Sequence, residues 1–368
     1  MMKWKSQLLN LTPYQPGKNI DEVKRQFNLE NIVKLASNEN PFGSSLKVVE
    51  ELKKVDGSFA LYPDGYATKL RLKLAEFLQV SKEQLVLGNG SDEIILMISR
   101  ALLKPGLNTV MATHTFGQYK HNAIVDGAEV REVPLTADGL HDLDAMLLAI
   151  DESTSVVWLC SPNNPTGTYI TEEKLVDFLR AVPKDVLVVL DEAYYEYVVA
   201  EDYYDALDLV NAFENLIVLR TFSKIYGLAS FRVGYGVANE SLIKTLEPIR
   251  EPFNVNTLGQ IATLTALEDQ EFVESCKIKN REGLELFYAF CKEHGLDYYP
   301  SQTNFILIDF KVDGNEVFQY FLERGYIVRS GVPLNFPTSV RITVGSKEQN
   351  EGLLQVMSQF LEEKAAKL

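Results

Sequence analysis

The stretch VLVVLDEAY, residues 186–194, opens with five consecutive apolar residues and then turns to two carboxylates. A strand with one wet face alternates apolar and polar residues, so a run that is apolar at every position fits a strand covered on both faces, as in a parallel sheet. Asp191 then stands at the carboxyl end of that strand, the end at which open α/β sheets bind ligands. A carboxylate buried there needs a cationic partner, although a helix-capping aspartate is an equally simple account of the residue taken alone.

Working outward, similar β-branched runs occur at 84–87, 108–112, 156–160, 216–220 and 233–237, each followed by a polar break and a helix-like segment. The segment 171–180, with Thr171 as its N-cap, is one such crossover. Strands separated by helical crossovers predict an α/β domain whose large, mostly parallel sheet is sandwiched by helices. Beyond about residue 240 the texture changes to a long charged helical pattern at 269–294, strands at 304–310 and 340–344, and a closing helix at 349–364. That predicts a smaller α+β domain. Residues 1–40 carry Pro13, Pro16 and Gly17 without a core pattern and read as an arm that packs on something else.

The chain has 368 residues, with 36 Lys and Arg against 51 Asp and Glu, a net charge of -15. Such an excess of negative charge repels nucleic acid and anionic lipid. Three scattered cysteines, Cys160, Cys276 and Cys291, form neither a disulfide framework nor a zinc cluster, which fits a reducing compartment. No stretch approaches 18 uncharged apolar residues and the first residues lack an apolar signal core, so the expectation is a soluble cytoplasmic protein that does not contact membranes. His114, His121, His141 and His294 show no metal-ligand spacing, and no metal site is expected.

Three further loops follow predicted strands and carry unusual residues. Gly88-Asn89-Gly90-Ser91-Asp92-Glu93 leads into a helix, and its free N–H groups suit a phosphate. It lacks the lysine of a Walker loop and the third glycine of a dinucleotide fingerprint, and taken alone it also reads as a glycine turn with Ser91 or Asp92 capping the helix. Ser161-Pro162-Asn163-Asn164-Pro165-Thr166-Gly167 is stiffened by two prolines and presents asparagine amides at a strand end. Thr221-Phe222-Ser223-Lys224 places a lysine at another strand end, eight residues before Arg232. Desolvation in an apolar cleft lowers a lysine pKa toward the range in which the amine is a nucleophile. The hydroxyls, Arg232, Asp191 and the helix start together suit an anionic cofactor that carries an aldehyde and a pyridinium nitrogen.

These three motifs, Ser161–Gly167, Asp191 with Tyr194, and Ser223-Lys224 with Arg232, occur in the order found in fold-type I pyridoxal-phosphate aminotransferases, and the chain closely resembles that family over nearly its whole length. Within it, Leu11-Thr12-Pro13-Tyr14-Gln15-Pro16-Gly17-Lys18, Leu35-Ala36-Ser37-Asn38-Glu39-Asn40-Pro41 and Tyr62-Pro63-Asp64 resemble the histidinol-phosphate aminotransferases.

The resemblance implies the cofactor pyridoxal 5'-phosphate and a division into an arm over residues 1–40 that packs on the small domain and the active site, a large cofactor-binding domain over 41–250 and a small domain over 251–368. It makes Lys224 the residue that holds the cofactor and shuttles a proton, and Asp191 the partner of its ring nitrogen. Tyr194 and Asn164 would donate to the ring oxygen, and Phe116 would stack on the ring. The phosphate would be held by Arg232, by the hydroxyls of Ser91, Thr221 and Ser223 and by the amides of Gly90 to Asp92, with Tyr62 reaching the phosphate of a neighbouring subunit in a homodimer. Tyr14, Asn38, Asn164, Arg329 and Arg341 would contact substrate. The activity implied is amino transfer from L-histidinol phosphate to 2-oxoglutarate, giving imidazole acetol phosphate and L-glutamate, so histidinol phosphate, glutamate and 2-oxoglutarate are the small-molecule partners. The runners-up are an aromatic amino-acid aminotransferase and a threonine-phosphate decarboxylase.

Overall fold

Leu187–Asp191 is the middle strand of a seven-stranded sheet, and all five of its residues are buried. The computed structural model describes residues 2–13, 17–57 and 59–366. From edge to edge the strands are Leu85–Gly88, Gly234–Ala238, Leu216–Thr221, Leu187–Asp191, Thr154–Cys160, Asn108–Ala112 and Glu129–Val133. All run parallel except Gly234–Ala238, which is antiparallel to both neighbours. Six of the seven coincide with the apolar runs to within one or two residues. The seventh, Glu129–Val133, is an edge strand with only Val133 buried. Its Glu-Val-Arg-Glu-Val pattern shows none of the two-sided apolar character of its neighbours, because one of its long edges and part of its surface face water.

Side chains alternate between two apolar layers, as strand geometry requires. Val157, Leu159, Val188 and Leu190 enter one core, while Val156, Trp158, Cys160, Leu187 and Val189 enter the other. By that parity Asp191 shares the face of Leu187 and Val189, and Glu192 turns to the opposite face. Thr171 stands at the N-cap of Glu172–Ala181, but its side chain accepts no capping hydrogen bond.

The small domain is a four-stranded antiparallel sheet in the order Arg329–Ser330, Ser339–Thr343, Phe305–Asp309, Asp297–Tyr298. Its core joins this sheet to the helices Gln270–His294, Gly314–Glu323 and Lys347–Ala365 through Leu284, Phe287, Phe321, Leu353 and Phe360. The expected start of this domain at residue 251 is too early. Val255, Ala262, Ala266 and Leu267 belong to the large core, as do Val273 and Cys276. The change of core falls inside Gln270–His294, whose 25 residues are long enough to cross from one domain to the other.

The N-terminal segment contacts both domains. Lys5 and Gln7 donate side-chain hydrogen bonds to the Val125 carbonyl of the large domain. Val33–Lys34 pairs with Tyr326–Ile327, and Val23 and Ala36 pack against Leu322 and Ile327 of the small domain. The chain then returns to the large domain, where Asn40 Nδ2 donates to the Ile225 carbonyl and Ser44 Oγ to that of Gly227.

Candidate active site

Gly234 begins the one antiparallel strand of the seven-stranded sheet, and it lies opposite the last residues of both neighbours, Gly88 and Thr221. Three loops therefore meet at a single point: the turn after Gly88, the turn after Thr221, and the segment that enters Gly234 through Arg232. Gly90 is the N-cap of the helix Ser91–Leu102, so neither Ser91 nor Asp92 caps it, contrary to the simpler reading of that loop. Arg232 adopts the left-handed conformation (φ 54°) and folds its guanidinium against this turn. Its Nη1 donates to Ser223 Oγ and to the Ala229 carbonyl, and its Nη2 to Asp92 Oδ2, each at 3.2 Å. A Cβ placed on Gly90 would lie 2.5 Å from Arg232 Nη2, and Gly90 itself has φ 78°. The result is a cationic cradle of guanidinium, hydroxyls and helix-start amides, which is a site for a phosphate.

The cradle forms one end of a cavity of about 460 Å³ whose lining includes Asn38, Ser91, Asp92, Phe116, Asn164, Asp191, Tyr194, Thr221, Ser223, Lys224, Arg232, Arg329 and Arg341. The structure thus brings together nearly all the residues expected from sequence. Tyr62 is the exception: it lies on the surface, 81% exposed, and stacks on Phe253 at 4.6 Å. Tyr14 lies outside the described residues.

Lys224 is partly buried, with its Nζ 5.5 Å from the centroid of the Tyr194 ring. Burial, reinforced by the positive charge of Arg341, lowers its pKa to about 8. Asp191 lies at the floor. Its Oδ2 accepts a 2.6 Å hydrogen bond from the Tyr119 hydroxyl, whereas its Oδ1 is buried without a hydrogen-bond partner. Burial pushes this carboxyl up to about 6, against the Tyr119 hydrogen bond. An unsatisfied buried carboxylate oxygen is costly and calls for a cationic or N–H donor that the chain does not itself supply.

The asparagine loop divides its labour. Asn163 is wholly internal: its Nδ2 donates to the His114 carbonyl and Thr166 Oγ1, and its Oδ1 accepts from Thr115 Oγ1. Asn164 faces the cavity, and its Oδ1 accepts from Arg341 Nη1 at 2.6 Å. Arg341 Nη2 also donates to the Ala36 carbonyl. Asn38, in the left-handed region at φ 58°, donates from Nδ2 to the Tyr194 hydroxyl and accepts from Thr343 Oγ1. Arg329 and Arg341 stand directly opposite each other on paired strands and both line the cavity. Two guanidinium groups side by side on the cavity wall suit an anionic ligand through forked contacts.

Sequence reasoning missed three groups. Tyr119 stands three residues after Phe116, and that spacing was the available signal. His121 also lines the cavity, though no pattern in the sequence distinguished it. The third is Arg220, the penultimate residue of the apolar strand Leu216–Thr221 and 2% exposed; a charge in such a run has to be paired. It bonds Glu192 and Asp205 at 2.8 Å and covers the Tyr195 ring at 3.5 Å, on the face of the sheet away from Asp191.

The residues present fit pyridoxal 5'-phosphate. Asp191 Oδ1 suits a protonated ring nitrogen, the Arg232 cradle suits the phosphate, and the Lys224 amine suits an aldehyde. Among the described residues there is no cluster of side chains able to hold a metal ion, and no helix long and apolar enough to cross a membrane.

Residues 30–357 match the family described as aminotransferase class I and II. The chain is 61% identical to the histidinol-phosphate aminotransferase of Bacillus licheniformis, over 98% of this chain and the whole of that one. It is 60% identical to the enzyme of the same name from Geobacillus sp., over 99% of each. Among solved structures, histidinol-phosphate aminotransferase from Sinorhizobium meliloti in complex with pyridoxal-5'-phosphate superposes with a TM-score of 0.88 at 25% identity, covering 98% of this chain and 99% of that one.

Proposed function

Since the chain belongs to the class I and II aminotransferases, we propose that it moves the amino group of L-histidinol phosphate to 2-oxoglutarate, forming imidazole acetol phosphate and L-glutamate, in histidine biosynthesis. The observation that carries this is the pairing of a buried, half-satisfied Asp191 with the Lys224 amine in one cavity that is also lined by Arg232, Arg329 and Arg341. Bound pyridoxal phosphate supplies an electron sink for the carbon that bears the migrating amino group.

The chain's own residues do the rest. Lys224, with a pKa of about 8, is deprotonated often enough near neutrality to take a proton from that substrate carbon and to return one. Asp191 keeps the ring nitrogen protonated. Arg232, Ser223, Thr221 and Ser91 hold the cofactor phosphate, and Phe116 covers the ring. Arg329 and Arg341 receive the substrate phosphate in one half-reaction and the carboxylates of glutamate in the other, an exchange that forked guanidinium contacts permit. In forming those contacts Arg341 would release Asn164, freeing its side chain for the ring oxygen.

The working unit we propose is a cytoplasmic homodimer with shared sites. Phe59, Leu61, Tyr62 and Tyr66 are between 60% and 81% exposed, and Phe253, 43% exposed, joins them through Tyr62. A cluster of this kind is covered in most soluble proteins. Tyr62 would reach the cofactor phosphate of the second subunit. All three cysteines are unpaired and buried, in keeping with a reducing compartment.

The test is to offer the holoenzyme histidinol phosphate, tyrosine, phenylalanine and threonine phosphate separately, and to identify each product. Keto product from histidinol phosphate with the highest kcat/KM is expected; release of carbon dioxide, or a preference for tyrosine, would replace the substrate assignment. Borohydride reduction and peptide mass analysis should find the cofactor on the peptide that contains Lys224.

A further inference from the structure

We propose that Tyr119 is a positioning residue for the cofactor ring: it fixes the orientation of the Asp191 carboxylate, so that one oxygen is presented to the cavity, and at the same time fixes the ring of Phe116. This rests on the reading of the cavity as a pyridoxal-phosphate site.

Tyr119 is fully buried and belongs to the helix Gln118–Asp126, one turn after Phe116. Its ring stacks on Trp158 at 4.9 Å and 9°, and meets Phe116 edge-on at 5.6 Å and 80°. Trp158 is itself anchored, because its Nε1 donates to Thr109 Oγ1 at 2.8 Å and Thr109 Oγ1 donates to the Val156 carbonyl. The Tyr119 ring is therefore held on one face by an immobile indole, and its hydroxyl has a fixed position.

That hydroxyl donates to Asp191 Oδ2 at 2.6 Å. Asp191 is buried and the backbone N–H of Ala193 also acts on its carboxylate, but Tyr119 is the side chain that ties Oδ2, and Oδ1 is left as the acceptor without a partner. The same side chain also backs Phe116, whose face is available to the cofactor. One residue thereby sets both the acceptor for the ring nitrogen and the aromatic surface over the ring, and it does so without touching the reacting atoms. Burial keeps the phenol protonated, so it remains a donor across the working pH range.

The test is Tyr119→Phe, which keeps the ring and its stacking and removes only the hydroxyl. Three measurements follow it: pyridoxal-phosphate affinity of the cofactor-free protein by titration, protonation of the cofactor's ¹⁵N-labelled ring nitrogen by NMR, and the same affinity in the Asp191→Asn background. Losing one hydrogen bond to a charged group should weaken affinity roughly tenfold to hundredfold. The ring nitrogen should become less protonated at neutral pH, and the affinity loss should largely vanish once Asp191 is already Asn. An unchanged ring-nitrogen signal, or an affinity loss of equal size in both backgrounds, would assign Tyr119 a packing role only and overturn the proposal. If the wild-type chain failed to take the cofactor on Lys224, the functional reading itself would fall and the proposal with it.

Discussion

Asp191 and Lys224 are both held in surroundings that disfavour their charged forms, and the cost should be visible in stability. The Lys224 amine is lowered from 10.5 to about 8 by burial. Between pH 8 and 10.5 the unfolded chain holds a proton that the folded one has shed, so stability rises with pH across that window and the whole cost is felt below it. The Asp191 carboxyl is raised from 3.8 to about 6, also by burial. Between pH 3.8 and 6 the folded chain holds the extra proton, so stability falls as pH climbs, and the whole cost is felt above pH 6. Both penalties are therefore complete between about pH 6 and 8. Without cofactor, Lys224→Met and Asp191→Asn should each be more stable than wild type at pH 7, by roughly 1–2 kcal/mol once screening by cavity water is allowed for, while losing activity. The gain of Asp191→Asn should shrink toward zero near pH 4. Urea unfolding at the two pH values checks this, and variants less stable than wild type throughout would refute the burial cost.

The turn before the helix Ser91–Leu102 shows how one backbone position serves a whole element. Gly90 combines φ 78° with an approach to Arg232 that leaves no room for a methyl group, whereas Gly106, at φ 91°, has nothing within 4 Å of where a Cβ would stand. Gly90→Ala should displace Arg232, weaken pyridoxal-phosphate affinity about tenfold and cost about 1 kcal/mol or more of stability. Gly106→Ala should carry the backbone cost alone and leave affinity unchanged. Cofactor titration alongside thermal melts separates the two, and equal affinity in both variants would remove Gly90 from the phosphate site. Elements differed in how plainly their residues announced them. Strands buried on both faces, such as Leu187–Asp191, were legible because burial imposes an unbroken apolar run. Glu129–Val133 was not, because pairing with Asn108–Ala112 rather than burial makes it a strand. The domain boundary was missed for a related reason: Gln270–His294 reads as one continuous helix although its two ends serve different cores.

At the scale of the molecule, shared active sites can be tested by mixing. If Tyr62 serves the neighbouring subunit, a dimer of one Lys224→Ala chain and one Tyr62→Ala chain has one site carrying both defects and one site carrying neither. Equal mixing after dissociation should then restore about a quarter of wild-type sites, since half the dimers are hybrids with one intact site each. No recovery above the parent variants, with hybrids confirmed by mass, would show that Tyr62 acts within its own subunit or not at all. The amino-acid order by itself determined the alternation of apolar runs and crossovers, the strand-end loops and the identity of the residues in them, because local periodicity and turn chemistry are properties of neighbouring residues. Only the tertiary structure decided that Tyr119 ties one oxygen of Asp191, that Arg341 bonds Asn164, and that Asn38 links Tyr194 to Thr343. Those contacts join residues 72, 177, 156 and 305 positions apart. Their distances are set by how two sheets and an arm close around a cavity, and no pattern along the chain encodes that closure locally.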